Sequence, residues 1–319
     1  MTHRRPSGFA QGGPGLIAAV LVAAIPALLP APALGQGAFV AASVCPDDNH
    51  ATFHACALAA ARRFNPPRTA DGAPDLSGYW RRRVAAFEDF EAHPRTPDDG
   101  GGPDVVVDPA DGKVPMQPWA DARRKENAAQ YLHHNAACLL AGGAGTMYMA
   151  NLYQFLQTRD YFLVIGEGLS AHPYRIVPLD GRPHIGAGIR LWQGDPVGRW
   201  EGNTLVIETT NQNGRPFVDQ RGRFFTEEAR TIERLTLIDA NTMHYAATFD
   251  DPNVYTRPFT MAFAYRRNAV QGAEVWEEAC YEANQEQMEL FRNNGLRVYP
   301  GISAAEAREL RSTWESRQP

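Results

Sequence analysis

The sequence predicts a mainly β fold: an antiparallel meander closing into a barrel, with N-terminal and C-terminal helices packed outside it. Three observations carry that expectation. From residue 150 onward the apolar side chains recur at every second position, the period of a strand with one buried face. Short polar turns such as Asp180-Gly181, Gly202-Asn203 and Asp239-Ala240-Asn241 separate these runs. The 28 Gly and 24 Pro favour a turn-rich β protein over a helical one. Each strand is therefore next in sequence to its partner, and a meander of that kind closes most simply into a barrel.

Residues 1–35 read as a signal peptide. His3, Arg4 and Arg5 make a basic start, an apolar run covers residues 16–29, and Ala33-Leu34-Gly35 offers small residues for cleavage. The run is short and broken by Pro26 and Pro30, which argues against stable membrane insertion. The expected location is periplasmic or secreted. Four cysteines in an exported chain suggest two disulfides. Three pairings are open, of which Cys45–Cys56 and Cys138–Cys280 are the most natural. A formal net charge of −5 leaves no basic footprint for nucleic acid or for an anionic membrane surface.

The segment 36–140 is expected to be helical and irregular. Phe53, Cys56, Ala60 and Phe64 recur at helical spacing, with Asp47 or Asp48 as cap. His50 and His54, four residues apart, could share a metal, but no third ligand beyond Asp47 is evident, so no metal site and no cofactor are assigned. Gly78-Tyr79-Trp80 is the short signature found at the first strand of lipocalin-like barrels, where the tryptophan plugs one end. Residues 119–140 lack an internal breaker and read as a helix carrying His133-His134. Gly142-Gly143-Ala144-Gly145 lacks the Lys-Ser/Thr of a phosphate loop and reads as a linker.

Within the core at 141–300, residues 152–159 and 161–166 read as a hairpin. The run Tyr161-Phe162-Leu163-Val164-Ile165 is apolar on both faces, so the sheet needs cover outside as well as a core inside, and the preceding helices are expected to supply it. Further strands are expected at 230–238, 243–249, 254–266 and 274–283. The tail 301–319 is a helix opened by the capping box Ser303-x-x-Glu306, with Ala307, Leu310 and Trp314 on one face.

Candidate chemistry follows from which side chains share a face. On 274–283, Trp276, Glu278, Cys280 and Glu282 lie together, so Glu282 beside a buried Cys280 is a candidate general acid. On 243–249 His244 is a second candidate, and on 254–266 Tyr255 and Arg257 share a face with Phe259. A pocket of these aromatics with His, Arg and Glu would suit a small apolar or aromatic molecule with one polar handle. Arg182-Pro183-His184 beside Asp195 supplies a histidine, a carboxylate to orient it and a guanidinium for an anion. Asp251 is a further carboxylate for such work. No nucleophile elbow, dinucleotide fingerprint or zinc-protease motif is present.

Three runs together carry a resemblance. Leu179-Asp180-Gly181-Arg182-Pro183-His184, then residues 194–206 with Gly198-Arg199-Trp200-Glu201-Gly202-Asn203-Thr204-Leu205-Val206, then Asp250-Asp251-Pro252-Asn253-Val254-Tyr255-Thr256-Arg257-Pro258 resemble a family of exported bacterial β-barrel-like proteins. The resemblance covers about residues 76–284 and implies a barrel and export; it implies no reaction. The sequence thus leads to a small-molecule-binding barrel, acting on its ligand by lyase, isomerase or hydratase chemistry through His184 or His244 with Glu282, Asp195 or Asp251. The alternatives are a non-catalytic binding or envelope protein, and a metal-dependent hydrolase using His50, His54 or His133.

Overall fold

The computed structural model describes residues 42–83, 88–95, 100–167, 174–270, 272–277 and 279–318. The expected signal peptide and Glu278 lie outside them. In chain order the elements are α1 (His50–Ala61), β1 (Gly78–Arg82), β2 (Val106–Asp108), α2 (Pro118–Gln130), β3 (Tyr131–Leu132), α3 (Thr146–Met149), β4 (Leu152–Gln157), β5 (Tyr161–Glu167), β6 (Tyr174–Pro178), β7 (Asp195–Glu201), β8 (Thr204–Thr210), β9 (Arg230–Asp239), β10 (Thr242–Asp250), β11 (Phe259–Arg267), α4 (Cys280–Asn293), β12 (Arg297–Val298) and α5 (Ala304–Ser316).

Nine strands form a nearly closed antiparallel barrel in the order β6-β5-β4-β1-β11-β10-β9-β8-β7. The meander is as expected, and β11 closes back on β1 through Arg82↔Tyr265 to Trp80↔Arg267. β2 continues the place of β1 along β11, at Met261 and Thr260. Eight antiparallel steps make β6 and β7 run the same way, so these two, consecutive among the barrel strands, cannot form a hairpin. Residues 179–194 carry the chain back along the barrel between them. No ladder joins β6 to β7 among the described residues; side chains close the seam, and a Cβ on Gly198 would sit 2.6 Å from Leu179 and 2.9 Å from Val177.

The interior is aromatic. Tyr153, Phe155, Phe162, Tyr245, Phe263 and Tyr265 are fully buried, and Trp80 plugs one end with Nε1 donating to Leu76 O at 2.9 Å. That end carries tight turns at Gly202-Asn203 and Asp239–Asn241. At the other end long connections leave β1, β8 and β10. Loops of this kind hold functional groups on a rigid scaffold.

Helix α1 lies outside the sheet over β9 and β11, and both disulfides, Cys45–Cys56 and Cys138–Cys280, are formed. The α1 cap is Asn49, whose Oδ1 accepts from Thr52 N, and not Asp47 or Asp48. The α5 cap is Ser303, as expected. Several elements differ from expectation. α2 ends at Gln130, because Tyr131-Leu132 turn extended to pair with Arg297-Val298. Gly142–Gly145 is no linker: it is buried at the loop end, and a Cβ on Gly142 would meet Pro216 at 2.4 Å. β11 starts only at Phe259, after Pro252 and Pro258 have broken the run. The strand expected at 274–283 does not form among its described residues; from Cys280 to Asn293 the chain is helix α4, so Cys138 is tied to a helix and not to a last strand.

Candidate functional site

Among the described residues the barrel interior is filled by side chains. Arg175 and Glu233 face each other there, both fully buried, with Arg175 Nη1 donating to Glu233 Oε1 at 2.9 Å and Nη2 2.6 Å from Oε2. Tyr245 OH donates to the same Oε1 at 2.8 Å, and burial, with Glu233 beside it, pushes that phenol well above its usual range. The space bounded by Tyr148, Gln212, Phe249 and Tyr255 measures ≈ 10 Å³, room for about one water. The pocket of aromatics with His, Arg and Glu expected inside the barrel is therefore a packed core.

The long-loop end instead carries a cleft of ≈ 530 Å³ between the start of α2, the 250–258 connection and α5. Trp119, Tyr255, Arg257, Arg311 and Trp314 line it, with Gln117 at its base. Gln117 builds this junction. Its N–H donates to Val254 O at 2.9 Å, its Nε2 to Pro252 O at 2.7 Å, and its Oε1 accepts from Trp119 Nε1 at 3.1 Å. Tyr255 is buried, and its OH donates to Phe224 O at 2.9 Å. Burial, with Asp251 nearby, pushes this phenol well up, so it is a wall and a donor and not a base. Arg257 is exposed and ion-pairs with Asp108 at 2.6 Å; Arg311 pairs with Glu315 at 2.8 Å. Both guanidiniums border the cleft with half their surface in water, where such pairs exchange partners at little cost. Among the described lining residues there is no histidine, cysteine or serine.

Two of the expected ligand contacts, Tyr255 and Arg257, are thus brought together, though on a connection and not on a strand face. The others are dispersed. Trp276 is 72% exposed, and Glu282 is exposed in the first turn of α4, beside Cys280 in sequence but turned to water. The proposal of Glu282 as a buried general acid fails on this exposure. Asp251 is buried, but Thr226 N and Asn253 N donate to it at 2.6 and 3.0 Å, so it braces a turn. Burial pushes its carboxyl up against those hydrogen bonds.

His184 does meet Asp195, as the sequence suggests. Its Nδ1 donates to Asp195 Oδ2 at 2.9 Å, the Ile185 N–H donates to the same oxygen, and Nε2 lies 3.9 Å from Glu208 Oε1. Arg182 does not join them; it turns to Asp180 at 2.6 Å and to Tyr161 OH at 3.2 Å. The dyad lies outside the barrel, where β7 begins, and borders neither the cleft nor the groove described next.

His244 points outward beneath α1. Its Nε2 shares a proton with His54 Nδ1 at 2.9 Å, and the two rings border a groove of ≈ 550 Å³ with Arg62 and Arg234. Burial pulls His244 down to about 3 and lowers His54 as well. His50 is buried, also lowered by burial, and does not join the pair. Among the described residues no three His, Cys, Asp or Glu side chains are placed to hold a metal ion.

Trp119, Trp314, Arg311 and Gln117 were not read from the sequence as site residues. Trp314 was visible as part of the apolar face of α5, but the cleft exists only where that face meets the 250–258 connection. No protein-family model and no curated protein matches this chain.

Proposed function

We propose that this chain is an exported binding protein that holds a small apolar or aromatic molecule in the cleft between α2, α5 and the 250–258 connection, without turning it over. The cleft itself carries the reading. It has the volume of a small-molecule site, an indole and a proline-rich wall for an apolar body, and two guanidiniums at its edge for one polar or anionic handle. Its described lining holds no histidine or cysteine, and of its carboxylates Glu315 is ion-paired with Arg311. The two disulfides support an oxidising compartment, and the likeness of the three sequence runs to exported barrel proteins supports export.

A naphthalene sulfonate, an aromatic body with one anion, is a suitable probe. Bound in the cleft it quenches tryptophan fluorescence, and Trp314→Ala or Arg257→Ala weakens it by roughly tenfold, the usual effect of removing an aromatic or arginine anchor. Unchanged affinity in both variants would place the ligand elsewhere and sink the proposal. Acid–base turnover is the second reading. It rests on the His184–Asp195 contact, and His184→Ala leaves probe binding intact under the first reading while abolishing product under the second.

A further inference from the structure

The groove bordered by the His54–His244 pair is built of hydrogen-bond donors. Helix α1 forms one wall, and the outer face of β8 to β11 forms the floor. Register sets Thr204, Thr236 and His244 in one row across three strands, with Arg234 two residues before Thr236 on β9. On the opposite wall His54 and Arg62 stand eight residues apart, about 12 Å along the helix. Among the described residues no Asp or Glu lines the groove, and α1 carries none. The carboxylates beside it are already engaged. Glu201 takes Arg199 and Arg234 at 2.7 and 2.9 Å, Glu208 takes Arg230 at 2.8 Å, and Asp108 takes Arg257 at 2.6 Å. The Arg62 guanidinium has no hydrogen bond or ion pair to a described residue.

We propose that this groove binds a small phosphomonoester with a polyol body, its phosphate between Arg62 and Arg234 and its hydroxyls along the threonines toward the histidine pair. The two guanidiniums come from different walls, α1 and β9. A tetrahedral phosphate offers oxygens to both walls, whereas a planar carboxylate is matched by a single fork. Asn203 adds donors at this end: its Oδ1 accepts from Arg68 Nη2 at 2.7 Å, which leaves its amide N–H groups for a ligand. The remainder of the groove offers donor and acceptor together, as a hydroxyl requires. Thr204 and Thr236 share one proton at 2.8 Å and Thr248 and Thr260 another at 2.9 Å, so each pair keeps one proton to give and lone pairs to receive. With both rings neutral, the His54–His244 hydrogen bond likewise leaves one outer N–H and one outer lone pair in either tautomer. Apart from these imidazoles no aromatic ring stands among the described lining residues, which disfavours an apolar body. The C-terminal end of α1 opposes an anion near Arg62, but by less than one charge-assisted hydrogen bond contributes. At ≈ 550 Å³ the groove has the size of a small-molecule site. It shares no lining residue with the cleft, so the two proposals stand or fall separately.

Calorimetric titration of the purified protein with glycerol 3-phosphate, at fixed ionic strength, tests the proposal. The expected result is one molecule bound per chain with a submillimolar Kd. Inorganic phosphate binds about fivefold more weakly, the effect of losing one or two hydrogen bonds, and glycerol alone does not bind. Arg62→Ala and Arg234→Ala each weaken glycerol 3-phosphate by roughly tenfold. Arg62→Lys, which keeps the charge and loses the fork, restores only part of the affinity. Arg62 is exposed and its guanidinium unpartnered, so its variants fold and the loss reports on the ligand. Thr236→Val brings glycerol 3-phosphate down toward inorganic phosphate while leaving phosphate itself unaffected. No binding at about 10 mM overturns the inference. So does phosphate bound as tightly as glycerol 3-phosphate, and so does an affinity indifferent to Arg62→Ala. Binding of phosphatidylglycerol vesicles through Arg62 without uptake of free glycerol 3-phosphate also overturns it, and would make the groove a membrane contact.

Discussion

Arg175 and Glu233 show how single residues set the terms of this core. A charged pair in an aromatic interior survives only because each charge is held by the other, and removing one partner strands the remaining charge. Glu233→Ala is expected to cost about 3–5 kcal/mol in urea denaturation, the range for breaking a buried pair. Tyr245→Phe, which removes one donor to the same carboxylate, costs about 1.5–3 kcal/mol; equal and negligible losses would show that the pair is solvated. Histidine supplies the second prediction at this scale. His244 and His134 both have folded-state values lowered by burial to about 3 from the ordinary 6.5. Unfolding lets each take up a proton the folded chain refuses, so their stabilising contribution is complete above pH 6.5 and drains away as pH falls toward 3. His244 alone then accounts for about 2 kcal/mol lost between pH 6.5 and 5. His244→Leu removes that share of the slope and leaves the share of His134; an unchanged slope would mean the His244 imidazole titrates normally. Nothing in the alternation of residues 243–249 separates this outward histidine beneath α1 from an inward one lining a pocket. His184 and Asp195 were named together from the sequence, but their spacing does not join them, since the glycine-rich loop between can take many paths; the Asp195 carboxylate meets both the His184 ring and the Ile185 N–H only in the folded chain.

At the scale of elements, the expected and observed structures part where the local signal was short. Residues 276–282 alternate over only four positions, too few to tell a strand from one side of a helix. Beyond them Glu286, Gln287, Met288, Glu289 and Leu290 are good helix formers, and α4 results. The turn-borne strands β7 to β10 were legible because each is long and bounded by Gly, Asn or Asp. The cleft was not, since it depends on α5 meeting a connection some sixty residues upstream. Helix α4 owes its place to the Cys138–Cys280 bond, which closes 142 residues of chain. In the chain-entropy account a loop of that length is worth about 5 kcal/mol, so replacing both cysteines with serine should remove most of that in a urea titration. A loss below about 1 kcal/mol would show that the enclosed barrel already restricts the unfolded chain or that the bond strains the native one.

For the whole molecule the decisive feature is the odd number of strands. Nine strands joined antiparallel at eight places leave one neighbouring pair that runs parallel, and that pair is β6 and β7. Elsewhere each strand is held on both edges, whereas here side chains alone close the wall, with Val177 and Leu179 against the bare backbone of Gly198. Segments with fewer shared backbone hydrogen bonds open at lower free energy than the rest of a fold. Amides of β6 and β7 that lack a ladder partner are therefore expected to exchange with deuterium ahead of those in β9 and β10, which pair over nearly their full lengths. A side chain at 198 sharpens the test. Gly198→Val must displace the stiff Val177 as well as Leu179, and overpacking of this kind costs about 1–3 kcal/mol. If the seam is the weak line, the variant accelerates exchange in β6 and β7 while β9 and β10 keep their protection. If exchange rises uniformly in the variant, or if β9 opens as early as β6 in the unaltered protein, the barrel unfolds as one unit and the seam has no special standing.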